Sequence, residues 1–137
     1  MPKLGALLVA ASLTTACATA TAKPATAAAP APAAAPAADA TSQFKRMNVR
    51  GTMNDWGITP MKLVAKDTWE CQIDLDASTP YQFKFDTGNW NPQQNWGLAG
   101  DKLKADAANI PFTTGGKSGK YTFTFNDQTL VYSIKAP

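Results

Sequence analysis

Between residues 68 and 76 apolar and polar side chains alternate without a break: Trp69, Cys71, Ile73 and Leu75 against Glu70, Gln72, Asp74 and Asp76. Successive side chains of a strand point to opposite faces, so a β-strand lets this segment bury one face and wet the other. The same period returns in Tyr81, Phe83 and Phe85 around Gln82 and Lys84, and again in Tyr121, Phe123 and Phe125 between threonines. Asn126-Asp127-Gln128 then turns the chain, and residues 130–134 come back as a hairpin partner. Weaker strand patterns occupy 43–52, with Phe44, Met47 and Val49, then 60–66, with Met61, Leu63 and Ala65, and finally 109–113. No stretch carries a helical period. Six to eight short strands with turn residues between them predict an all-β fold, an immunoglobulin-like antiparallel β-sandwich, with a barrel as the alternative. Trp69 and Cys71 share the apolar face of their strand, so both are expected in the core, Cys71 as a small hydrophobe.

The chain ahead of these strands has a different composition. Lys3 precedes a short apolar run at 4–13, and Thr14-Thr15-Ala16 leads into Cys17. The run is too short to cross a bilayer as a helix and has the proportions of a signal peptide. It resembles a bacterial lipoprotein signal, which implies cleavage after residue 16 and a lipid on Cys17. Ordinary secretory cleavage among residues 16–20 is the alternative, leaving a secreted or periplasmic protein. After Cys17, the rest of the segment 17–41 is Ala, Pro and Thr with only Lys23 and Asp39 charged, and Pro24, Pro30, Pro32 and Pro36 forbid a long helix. Such a segment has nothing large to bury and is expected to be a disordered tether, able to reach ~70 Å when extended. The folded domain is thus expected at 42–137, attached to the cell envelope. Ala18 stands where an inner-membrane retention Asp would follow the cysteine, which points to the outer membrane.

Within the domain, residues 86–101 break the strand rhythm. Trp90 and Trp96 stand among Asn89, Asn91, Gln93, Gln94 and Asn95, with Gly88, Pro92 and Gly97 as punctuation. No period of 2 or 3.6 runs through the segment, so it reads as a loop, and loops of about 12–15 residues are usually functional or disordered. Flat apolar rings beside neutral amides suit a ligand with apolar faces and hydroxyl edges, which describes a sugar. Trp56, in the Asn54-Asp55-Trp56-Gly57 turn, is a third ring outside the strand registers.

Other chemistry finds little footing. The chain has no histidine, which removes Ser-His-Asp and Cys-His catalysis and any His-containing metal site. Asp74 and Asp76 share one outward strand face, whereas glycosidase carboxyls must oppose each other across a cleft. Asp86, Asn89, Asn91 and Asp101 lack the spacing of a known calcium loop. Gly116-Lys117-Ser118 would need a glycine where Pro111 stands to complete a phosphate loop. Without Lys3, Lys23 and Asp39 the domain keeps eleven basic and nine acidic residues, too even a balance for a nucleic-acid surface. The expectation is a monomeric, non-catalytic binding module with no metal and no cofactor.

Several short motifs carry a resemblance over most of 44–134. Met53-Asn54-Asp55-Trp56 resembles the Phe-Asn-x-Trp turn of starch- and glycogen-binding modules, among them the glycogen-binding domain of the AMP-activated kinase β-subunit. Tyr81-Gln82-Phe83-Lys84-Phe85 resembles their Tyr-x-Phe-Lys-Phe strand, and residues 86–90 the Asp-Gly-x-Trp after it. Asn109-Ile110 is similar to their C-terminal Asn-Val or Asn-Asn-Ile. The Asn-Trp-Gly element and the closing Tyr-x-Phe-x-Phe-Asn hairpin are also similar to starch-binding repeats of outer-membrane starch-utilisation lipoproteins. The resemblance implies an immunoglobulin-like sandwich in which Trp56 and Trp90 stack on glucose rings while Lys84 and Asn109 bond to hydroxyls. Trp96 would be a further or substitute platform, because the spacing between Asp86 and Trp90 departs from the family pattern. The implied partner is a polysaccharide of the α-glucan class. A structural or protein-interaction lipoprotein domain with no glycan ligand is the competing reading.

Overall fold

The computed structural model describes residues 39–137; the leader, Cys17 and most of the Ala/Pro tether lie outside the described residues. The strands are β1 (Asn48–Gly51), β2 (Thr59–Pro60), β3 (Lys62–Ala65), β4 (Thr68–Leu75) and β5 (Pro80–Asp86), followed by β6 (Asn95–Ala99), β7 (Lys102–Ala105), β8 (Ile110–Thr113), β9 (Gly119–Asn126) and β10 (Val131–Lys135). They form two antiparallel sheets. The first runs β2-β1-β5-β6-β7 with β8 also paired to β5, and the second runs β10-β9-β4-β3. The fold is an all-β sandwich.

The alternation seen in the sequence becomes the core. Trp69, Ile73 and Leu75 of β4 and Tyr121, Phe123 and Phe125 of β9 are buried from the second sheet, against Val49, Phe83, Phe85 and Ile110 from the first. Across the interface Phe85 stacks on Phe125 at 4.5 Å and 9°, and Phe83 meets Phe123 edge-on at 5.3 Å. Aromatic pairs of both geometries add to the area they bury. The Trp69 indole N–H donates to Asp127 Oδ2 at 2.6 Å, so this ring is buried without an unsatisfied donor.

Two departures from the sequence reading have plain causes. The apolar pattern at 60–66 is not one strand. β2 pairs with β1 and β3 with β4, so the chain changes sheets at buried Met61. Residues 86–101 are not a continuous loop either. After a short 3-10 turn at Pro92–Gln94, β6 pairs with β5 through Phe85–Trp96 and Asp86–Asn95, and with β7 from Trp96 to Ala99. Its alternation was hidden because the positions facing away from the core are Asn95, Gly97 and Ala99 rather than charged residues. Together with β7, these changes give ten strands rather than six to eight.

Gly97 is required where it stands, since a Cβ would overlap the Ala107 and Ala108 carbonyl oxygens, well inside contact distance, and these belong to backbone that cannot swing away. Gly97→Ala is therefore expected to cost about 1–3 kcal/mol, as overpacking does, read as a lower urea midpoint with an unchanged m-value.

Cys71, half-buried on β4 opposite Phe123, is a free thiol whose pKa is pushed up to about 12, first by burial and then by the Glu70 charge. The folded state therefore holds its proton above the ordinary value of 9.0. Unfolded chain releases that proton first, so this thiol subtracts stability as pH rises from about 9 towards about 12 and has no effect below. At pH 8 Cys71 should resist iodoacetamide in the folded protein and react readily in urea, as mass spectrometry would record.

Candidate functional site

Two loops, one after β1 and one after β5, converge on Arg50 from opposite ends of that antiparallel strand pair. The first follows β1 as a 3-10 turn at Thr52–Asn54. Asn54 secures it: its Oδ1 accepts from Gly51 N at 2.9 Å, while Nδ2 donates to Val49 O at 3.1 Å and Thr59 Oγ1 at 2.8 Å. Asp55 and Trp56 then take left-handed backbone at φ 52° and 60°, and Trp56 N donates back to Gly51 O at 2.8 Å. The second loop, 87–91, leaves β5. Gly88 (φ 105°) donates its N–H to Asp86 Oδ1 at 2.5 Å, and Trp90 too is left-handed at φ 50°. Bulky residues seldom adopt this conformation, which costs about 1–3 kcal/mol and is tolerated only where the surroundings over-determine it.

What over-determines both loops is Arg50 on β1, a residue that nothing in the sequence singled out. Its guanidinium donates through Nη1 to Trp56 O at 3.2 Å and through Nη2 to Gly88 O at 3.0 Å. Its Nε forms an ion pair with Asp86 Oδ2. The same group lies over the Trp90 ring, 4.7 Å from the centroid, a cation–π contact. Asp86 is fully buried and is held in turn by Asn48 Nδ2, at 3.1 Å to Oδ1. From the other side Arg46 binds Thr87 O at 2.5 Å through Nε and Asn89 Oδ1 at 2.8 Å through Nη2. The result is a pair of indoles, Trp56 and Trp90, with centroids 6.2 Å apart and planes at 45°. Trp56 is half-buried and Trp90 is 43% exposed.

The register of the first sheet places the remaining candidates. Arg50 is paired directly with Lys84, so both point out of the sandwich, opposite to Val49 and Phe85. Lys84 is half-buried and has no hydrogen-bond or ion-pair partner among the described residues. Asn109, immediately before β8, donates its amide to Gln82 Oε1 at 3.1 Å, and Gln82 lies two residues before Lys84 on the same face. Trp56, Trp90, Lys84 and Asn109 thus belong to one outward surface and its rim.

Trp96 does not belong there, and its assignment as a platform is corrected. It is 5% exposed, with its ring 5.3 Å from Phe44 and 5.7 Å from Phe125. The register Phe85–Trp96 turns it into the core with its partner. Cys17 lies outside the described residues. Of the two indoles Trp90 is the more open to solvent. A cleft of about 520 Å³ between 101–103 and 129–132 lies elsewhere, and a polar one of about 230 Å³ flanks the Trp90 loop, lined in part by Arg46, Thr87, Asn89 and Gln94. No protein-family model, curated protein or solved structure matches this chain.

Arg50→Met is expected to leave Asp86 buried without its counter-charge and both loops without their tie, at a cost of about 3–5 kcal/mol. Urea unfolding gives the size of the loss. The double variant Arg50→Met/Asp86→Leu should recover much of the stability but not the geometry of the loops, visible as altered tryptophan fluorescence.

Proposed function

We propose that this domain binds α-glucan without catalysis and is displayed from the cell envelope through a lipid on Cys17. The observation that carries the reading is the Trp56–Trp90 pair, two indoles held 6.2 Å apart at the surface in backbone conformations that bulky side chains avoid. Strain of this kind persists where a fixed side-chain position is worth its cost, and ligand clamps are a common setting. Indole faces match the C–H faces of a pyranose, and rigid aromatic rings lose little conformational entropy on binding. Lys84 and Asn109 stand on the adjoining face as donors for ring hydroxyls. The commitment of buried Asp86 to Arg50 keeps that carboxylate from acting as a hydrolytic acid or base and favours capture over hydrolysis. Each contact would be weak, and many tethered copies on one surface would compensate through multivalency.

Affinity electrophoresis of the full chain in gels with and without glycogen tests this. Retardation by glycogen is expected, and Trp56→Ala or Trp90→Ala should each weaken it about tenfold or more, the worth of a buried aromatic side chain. Equal mobility in both gels, or retardation untouched by both substitutions, would sink the reading and leave a protein partner for the tryptophans.

A further inference from the structure

The charges of the two sheets are unlike. Among the described residues, the strands of the second sheet carry Lys62, Lys120 and Lys135 with Glu70 and Asp74, and Lys120 pairs with Asp74 at 2.7 Å. The strands of the first carry Arg50, Lys84, Lys102 and Lys104 with Asp86 alone. Asp86 is fully buried and already engaged by Arg50 and Asn48, so it offers nothing to Lys84. Arg50 and Lys84 face each other directly across β1 and β5, where neighbouring strands are about 4.8 Å apart. Like charges directly opposite in a sheet repel and destabilise it. A neutral sugar would relieve little of this, because hydroxyls supply dipoles and no counter-charge.

We infer that the tryptophan platform takes a glucan bearing an oxyanion, a phosphomonoester or a carboxylate, with Lys84 as the residue that selects it. The inference rests on the glucan-binding reading above and narrows it. Trp56 and Trp90 hold the sugar faces, while the substituent reaches the ammonium of half-buried Lys84 beside the platform and completes a charge balance that the protein leaves open. Arg50 cannot take this role, since its guanidinium is spent on Asp86, Trp56 O and Gly88 O. An ammonium–oxyanion pair adds the attraction of two opposite charges to its hydrogen bond, which a hydroxyl does not, so the substituent rather than the hydroxyls would set the preference.

Isothermal titration calorimetry of the full chain against glycogen, chemically phosphorylated glycogen and C6-oxidised glycogen tests it at low and at physiological salt. At low salt, one or both charged polymers should bind about tenfold more tightly than the neutral one, with the advantage shrinking as salt screens it. The polymer preferred identifies the oxyanion. Lys84→Gln, which keeps hydrogen-bonding capacity but not the charge, should bring the charged-to-neutral ratio close to one, and Trp90→Ala should weaken all three polymers. Equal affinities for the three polymers in the unaltered protein would overturn this inference while leaving glucan binding intact. So would a preference that survives Lys84→Gln, or tight binding of the charged polymers that Trp90→Ala does not touch, since charge alone would then be holding them. Binding to none of the three would remove both this inference and the glucan reading.

Discussion

The ion pair between Arg50 and Asp86 is the interaction on which the shape of this surface depends. Asp86 is fully buried and Arg50 is 8% exposed, so their mutual attraction acts in a medium that screens it poorly. Taking both charges out of water costs several kcal/mol per ion, and a well-packed apolar pair could have served stability as well or better. What an apolar pair could not supply is direction. The guanidinium offers donors in a fixed planar fork, and three of its nitrogens reach three separate chain positions: the Asp86 carboxylate, Trp56 O and Gly88 O. One side chain on a central strand thereby sets the relative placement of two loops far apart in sequence.

That placement explains how the strained tryptophans can persist. Neither left-handed Trp56 nor left-handed Trp90 would hold its conformation in an isolated loop, where relaxation costs nothing. Here the Trp56 carbonyl is tied to Arg50, and the Trp90 ring lies under the same guanidinium. Arg46 fixes the outer side of the second loop at Thr87 and Asn89. Asn54 closes the first loop with bonds to Gly51, Val49 and Thr59. The indoles are thus rigid before any ligand arrives, and preorganisation of this sort lowers the entropic cost of binding.

The core was easy to read from the residues and the surface was not. Trp69 could be placed inside because its strand alternates strictly, and it is buried against β9 as that pattern requires. Trp96 misled because its neighbours are amides and glycine, which mark loops and also the outward positions of a strand beside a crowded connection. Its burial follows from pairing with Phe85, a partner eleven residues away. Arg50 left no local signal at all. It is one arginine in a weakly patterned segment, and its importance comes from Asp86, Gly88 and Trp90, more than thirty residues further on.

The sequence by itself determined the strands β4, β5 and β9 with their inward faces, and the turn at Asn54, because period-two alternation and short-range hydrogen bonding are local properties of a chain. Only the tertiary structure decided which tryptophans face water and which charges remain unpaired. Those outcomes depend on register and on long-range pairing: one residue of slip in a strand exchanges its two faces, and a buried carboxylate can be assigned its partner only when both strands are in place.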